Sequence, residues 1–224
     1  MANKKDITCH LICKVIDFFG DIGVAWRIAK QLKFDFDAEV HVLIDDLITA
    51  QKLIPSLDIS LKEQMIDGIF FHHCDFSENS DSLPSPPLFV FNLFNIDLPY
   101  KYKSLIQSEK SKYIAIEYLS AESWVDNFHL KPSIDPRSGQ IKTFFYPGFR
   151  NQTGGLIREK NLFLHRKDFS QEKCEEVIRS LHGDPSFFSI SLFIGDSVLL
   201  LTSLRSNLFT TCSGRTLKLI WVMT

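Results

Sequence analysis

Val15-Ile16-Asp17-Phe18-Phe19-Gly20-Asp21-Ile22-Gly23-Val24-Ala25-Trp26-Arg27 is the stretch where an apolar strand stops and an amphipathic helix begins. Upstream, Ile7 to Ile16 is rich in β-branched and apolar residues, as in a buried strand. Downstream, Ile22, Ala25, Ala29 and Leu32 recur at helical spacing, flanked by Val24 and Ile28. Between them sit two carboxylates four residues apart, Asp17 and Asp21, and two glycines, Gly20 and Gly23. Glycine permits a tight positive-φ turn and close approach to a ligand, and the free N–H groups of a helix start favour an anion such as a diphosphate. A carboxylate in that turn is placed to take a proton from a nucleophile, because strand C-termini in open α/β sheets line the ligand crevice. A purely structural reading uses the same residues, with Asp21 as helix N-cap and Asp17 as an ordinary turn residue. The stretch is no standard phosphate loop, having neither G-x-G-x-x-G nor a Lys-Ser/Thr ending.

Further along, Glu39 to Ile44 reads as a second strand and Asp46 to Ile54 as a helix ended by Pro55. Gly68 to His72, Leu88 to Leu93 and Tyr113 to Tyr118 read as strands, and Tyr100 to Glu109 and Ala121 to Asn127 as helices. Glu78 to Pro87 and Lys131 to Gln140 carry the Ser, Asn, Asp, Pro and Gly of surface loops. Phe169 to Leu181 has helical character, and Phe187 to Phe193 closes the series as a strand. Alternating strands and helices predict an α/β fold, a Rossmann-like doubly wound parallel sheet. The runs Leu88 to Leu93 and Tyr113 to Ile116 suit strands covered on both faces.

The 224 residues suffice for a sizeable core, and 45% hydrophobic with 23% charged residues is the composition of a globular protein. A net charge of −2 provides no electrostatic footprint for nucleic acid or an anionic membrane. No run of 18 apolar residues suggests a membrane span, and the first six residues lead directly into a strand rather than a signal sequence. The 5 cysteines form no C-x-x-C pair, which points to a reducing compartment and hence the cytoplasm.

Other polar groups are weighed against plainer roles. Asp35-Phe36-Asp37 matches a D-x-D pattern but lies in a linker before the second strand, as a solvated loop does. His72-His73-Cys74-Asp75 has metal-ligating side chains without a second ligand pair, so no metal site is expected. Asp45-Asp46 suits a helix cap, and Arg158-Glu159-Lys160 and Arg166-Lys167-Asp168 suit solvated surface. Gly154-Gly155 is either a ligand-contacting loop or a plain one. Glu122 and Trp124 either line the crevice beside Asp21 or serve as helix cap and core tryptophan.

Asp17-Phe18-Phe19-Gly20-Asp21-Ile22-Gly23-Val24-Ala25-Trp26-Arg27 resembles the opening motif of the bacterial elongation factor P arginine rhamnosyltransferases. Glu117 to Val125, Phe145 to Phe149 and Thr153 to Glu159 resemble the same family, in the same order, within a likeness covering about residues 7 to 193. The resemblance implies an inverting, metal-independent glycosyltransferase of two Rossmann-like domains (GT-B type) that needs no cofactor. It moves L-rhamnose from the donor dTDP-β-L-rhamnose to an arginine of elongation factor P. Carried over by position, Asp21 is the general base and Asp17 orients or helps activate the acceptor arginine, while Phe18, Phe19, Gly20, Asp21 and Phe193 contact substrate. Phe18 stands where the family usually has asparagine, so only a backbone contact is expected there.

By the same resemblance, residues 1–185 form the acceptor-binding domain and 186–193 begin the nucleotide-sugar domain. Residues 194–224 show no clean period and read as a tail outside the family, shifted in frame or truncated, so the chain alone is expected to be weakly active or inactive. Two further readings stand beside the enzyme: an elongation factor P binding module or remnant, and an unrelated Rossmann-like nucleotide binder.

Overall fold

Parallel pairing begins with the first apolar run. β1 (Thr8–Cys13) is buried over its last five residues and is flanked in parallel by β2 (Glu39–Ile44) and β5 (Phe89–Leu93). In the computed structural model the described residues are 7–76, 84–136 and 139–180, with the backbone of two short strands at 188–191 and 217–220. The remaining elements up to residue 159 are α1 (Phe18–Phe36), α2 (Leu47–Leu53), β3 (Glu63–Ile66), β4 (Ile69–His73), α3 (Tyr100–Ser108), β6 (Lys112–Ile116), a 3₁₀ turn (Ser123–Asn127), β7 (Pro132–Ile134) and β8 (Ile141–Phe145).

The eight strands lie in the order β3-β4-β2-β1-β5-β6-β8-β7. Only β3 and β7, at the two edges, pair antiparallel. The six parallel strands, counted along the chain, lie 3-2-1-4-5-6, the order of a dinucleotide-binding Rossmann sheet. The reversal falls between β1 and β5, and the loops leaving these neighbours diverge to opposite sides and open a crevice at their C-terminal ends.

Successive residues of β1 serve opposite faces. Cys9 and Leu11 pack with Ile22 and Ala29 of α1 and Leu47 and Ala50 of α2, whereas Ile12 packs with Tyr102 and Ile106 of α3. Helices therefore cover both faces, and the central strands carry apolar side chains in both directions. Among the described residues no helix is long and apolar enough to cross a membrane.

The sequence reading is corrected at several places. β1 ends at Cys13 instead of running to Ile16. Two strands, β3 and β8, lie where the sequence pattern predicts none, and the expected loop at Lys131 to Gln140 contains β7. β3 and β4 form a hairpin turning at Asp67 and Gly68, both at positive φ (51° and 74°). Asp-Gly is the dipeptide that such two-residue turns prefer, and it was the readable signal. Asp46 caps α2 as expected, accepting the Thr49 N–H at 2.9 Å, while Asp45 instead accepts the Val15 N–H at 2.8 Å.

Residues from Lys160 form a second unit, with α4 (Leu162–Lys167), α5 (Gln171–Ser180) and a parallel pair of β9 (Phe188–Ser191) with β10 (Leu217–Ile220).

One polar ladder interrupts the apolar sheet. His10 Nδ1 lies 2.7 Å from the Tyr102 hydroxyl, and His41 Nδ1 lies 2.8 Å from His72 Nε2. His10 and His41 are register partners on β1 and β2, with ring centroids 5.2 Å apart. Glu39 approaches His41 at 3.0 Å and Glu63 approaches His72 at 3.6 Å. Burial, then the neighbouring His41 and His72, depress His10 from 6.5 to about 3. His72 is lowered chiefly by burial, partly offset by Glu63.

Both rings are thus held neutral in the fold, while the unfolded chain takes up the protons near 6.5. Their contribution is complete above that value and is lost as pH falls towards about 3. The urea midpoint is expected to drop between about pH 7 and about pH 4, and His10→Phe to flatten that slope.

Candidate functional site

A short polar turn follows β1 at the strand-order reversal. Three backbone donors draw the chain off the ladder: Val15 N–H to Asp45 Oδ1, and Ile16 and Asp17 N–H to Asp21 Oδ2, each at 2.8 Å. α1 then starts at Phe18 with Asp17 in the N-cap position, its side chain making no capping hydrogen bond. Asp21 is therefore not the N-cap; from the first turn of the helix it reaches back to hold the two residues before it. Gly20 and Gly23 are helical, and neither has the positive φ expected of a glycine turn. Gly20 instead provides clearance: a Cβ there would lie 3.0 Å from Asp17 Oδ2.

The two carboxylates have different surroundings. Asp17 is exposed, whereas Asp21 is 0% exposed. Asp21 Oδ1 is buried without a hydrogen bond of normal geometry. The Asp21 carboxylate is shared with Tyr118, whose phenol is pushed up by burial, by the charges of Asp21 and Asp17 and by its contact with Asp21. Burial and the charges of Asp21 and Asp45 also push up the Cys13 thiol, which stays a neutral core group.

Of the other residues singled out in the sequence, Phe19 lies beneath Lys52, whose Nζ is 5.9 Å from the ring centroid. Phe18 supplies the first backbone residue of α1, and its side chain lies outside what the structure describes. Phe193 lies outside the described residues.

Beside this turn is a cavity of about 660 Å³. Phe91, Ile114, Ile116 and Phe145, on β5, β6 and β8, form its floor; Val24, Arg27 and Ile28 of α1 form a wall, and Gly154 to Ile157 a rim. The rim lies flat because Gly154 has no Cβ, which would collide with the Phe145 ring. Arg27 fixes the rim through a bidentate pair with Glu159, with Nη2 to Oε2 at 2.8 Å, and through a 3.3 Å bond to the Ile157 carbonyl. That hydrogen bonding holds Glu159 down at about 2. Arg158-Glu159-Lys160 is thus more than solvated surface, because Glu159 anchors the rim.

Glu117 is the cavity's acid. Burial raises its carboxyl, with Lys142 and Asn95 offsetting part of the shift. Perturbed carboxyls in clefts mark functional surfaces.

Several candidates fall away from the crevice. Asp37 is the C-cap of α1 and Lys33 reaches it at 3.4 Å, so Asp35-Phe36-Asp37 marks the far end of that helix. His72 belongs to the buried ladder and His73 Nε2 is 3.0 Å from the Asp45 carbonyl. Among the described residues no three His, Cys, Asp or Glu side chains are grouped to hold a metal ion. Trp124 is half exposed and packs edge-on against Phe128 and Tyr146, and neither it nor Glu122 lines the cavity. Gly154 and Gly155 do. The roles of Arg27, Glu117, Tyr118 and Glu159 were not read from the sequence; all four sit inside the motifs quoted above, but spacing cannot show that residues 27 and 159 pair.

The sequence profile of the family described as "Elongation-Factor P (EF-P) rhamnosyltransferase EarP" matches residues 9–204. A protein-arginine rhamnosyltransferase of Shewanella oneidensis is 33% identical over 202 residues, covering 84% of this chain and 50% of the relative. One from Pseudomonas putida is 35% identical over 193 residues, 83% of this chain and 50% of the relative. One from Neisseria meningitidis is 38% identical over 160 residues, 71% of this chain and 41% of the relative. The chain belongs to this family, and it spans about half the length of the curated relatives it matches.

Asp21 tethers two backbone donors, so Asp21→Ala is expected to lower unfolding stability by about 0.5–2 kcal/mol. Asp21→Asn keeps one acceptor oxygen and is expected to lose less. Chemical denaturation of the three proteins side by side measures the difference.

Proposed function

We propose that this member of the elongation factor P rhamnosyltransferase family carries the acceptor-binding half of a protein-arginine rhamnosyltransferase. The acceptor is an arginine of elongation factor P, the donor is dTDP-β-L-rhamnose, and the reaction runs in the cytoplasm by a single inverting displacement. The observation that carries the reading is the buried Asp21, one oxygen tied to backbone and the other making no hydrogen bond of normal geometry, at the strand-order reversal beside the open Asp17.

A guanidinium is a poor nucleophile because it stays protonated at physiological pH. Asp17, which is exposed, holds the incoming guanidinium by charge-assisted hydrogen bonds. Asp21 Oδ1 accepts an N–H proton as that nitrogen attacks the anomeric carbon of rhamnose. The new C–N bond forms on one face while the C–O bond to the diphosphate breaks on the other, and dTDP leaves with the electron pair. The fixed Oδ2 keeps the base aimed without reorganisation during the step. Phe18, Phe19, Gly20 and Phe193 are the donor-side contacts of this proposal. The first two turns of α1 would supply the positive end of the helix dipole towards the diphosphate.

Titrating isotope-labelled elongation factor P with the folded chain is expected to shift resonances around its acceptor arginine, and Asp17→Asn is expected to weaken those shifts. Absence of any shift would remove the acceptor assignment. In a full-length relative, replacing the residue aligned with Asp21 by Ala is expected to slow transfer by about 10²–10⁴-fold. A rate within twofold of wild type would exclude the general-base role.

A further inference from the structure

Two consecutive non-glycine residues at the end of β5 sit in the left-handed region, Phe94 at φ 60° and Asn95 at φ 51°. For a residue as bulky as phenylalanine this conformation is strained, and such strain persists only where surrounding contacts enforce it. The enforcing contacts are present. The Phe94 N–H donates to the Ile116 carbonyl at 2.6 Å, and Lys142 Nζ donates to Asn95 Oδ1 at 2.8 Å. Their effect is to lay the Phe94 ring on Tyr118, with centroids 4.1 Å apart and planes 17° from parallel.

The stack occupies one face of Tyr118. Among the described residues no other ring packs on it, and the residue is 47% exposed, so its second face is open. The hydroxyl end of the same ring reaches the Asp21 carboxylate and feels Asp17. Three separate loops converge here: Asp17 and Asp21 follow β1, Phe94 follows β5 and Tyr118 follows β6. An open aromatic face with two carboxylates at its rim fits a cation that is flat, with N–H donors around its edge.

We propose that Tyr118, clamped by Phe94, is the platform on which the acceptor guanidinium lies, and that this platform selects arginine over lysine; the proposal rests on the acceptor reading given above. A guanidinium is planar, delocalised and weakly hydrated, so it stacks on the ring while its N–H edge meets Asp17 and Asp21. An ammonium is compact and strongly hydrated; it can pair with one carboxylate but gains little from the face. The carboxylates alone attract either cation, and the ring separates the two. The strained Phe94 backbone has its use here, since a relaxed turn would leave Tyr118 without the ring that fixes its plane.

The test is calorimetric titration of the full chain with elongation factor P and with its acceptor Arg→Lys variant. The wild-type chain is expected to prefer the arginine form by about tenfold. Tyr118→Ala and Tyr118→Leu are expected to erase that preference by weakening the arginine form, with binding of the lysine form nearly unchanged. Tyr118→Phe keeps the face and should keep the preference, although it loses the hydroxyl beside Asp21. Phe94→Leu should reduce it. A folded Tyr118→Leu that still prefers arginine, or equal binding of both forms by wild type, would overturn the platform and leave the acceptor reading standing. Binding of neither form by wild type would overturn the acceptor reading and the platform with it.

Discussion

The Asp21 carboxylate, accepting the N–H groups of Ile16 and Asp17 through one oxygen, is the constraint on which the site depends. Burying an unpaired carboxylate costs several kcal/mol, and this one is fully buried. Two charge-assisted bonds contribute about 1.5–3 kcal/mol each, and the first turn of a helix adds a few tenths to about 1 kcal/mol. The cost is offset only if the chain turns off β1 where it does, because the two donors exist only while residues 16 and 17 leave the ladder. Strand end, helix start and carboxylate orientation are therefore one cooperative unit.

The rest of the crevice is built outward from that unit. The Rossmann strand order separates the loops after β1 and β5, and α1 continues from the turn as one wall of the cavity. Arg27, near the middle of α1, ties the distant rim to this wall through Glu159. The pair is part exposed, so its worth to overall stability is at most about 1 kcal/mol. Its consequence is local: it fixes the rim segment that begins at the paired glycines Gly154 and Gly155. One helix, α1, thereby sets both the Asp21 carboxylate and the shape of the neighbouring apolar cavity.

Much of this architecture was legible because burial leaves a periodic trace. The parallel centre, β1, β2, β5 and β6, is written in apolar runs, and the alternation with helices gives the doubly wound class. The edges were harder to read. In β3, Glu63-Gln64-Met65-Ile66 is half solvated and resembles a loop, and β7 begins on Pro132, which only an edge strand tolerates. In β8, Ile141-Lys142-Thr143-Phe144-Phe145 is only part buried and carries a lysine used for a long-range contact to Asn95 and a local one over the Phe144 ring. Within the site, Asp17 and Asp21 stood out by chemistry and spacing. Their exchange of roles, with Asp17 at the cap and Asp21 reaching back, depends on where the first helical residue falls, and two glycines blurred that boundary. Contacts between residues more than a hundred positions apart leave no periodic signature at all.

Asp21 also shows why structural and chemical readings of one residue need not compete. A carboxylate that reaches back to backbone donors is fixed by them, and the proposed base must be fixed to be effective; the same two backbone bonds meet both needs. A carboxylate has two oxygens, so tying one into the fold leaves the other as the only atom free to change partners. Exposed Asp17 makes no capping hydrogen bond, and in the proposal it is the group that meets the incoming cation. In the proposed reaction, the division of labour between a tethered base and an exposed orienting acid follows from a difference in burial across a single helical turn.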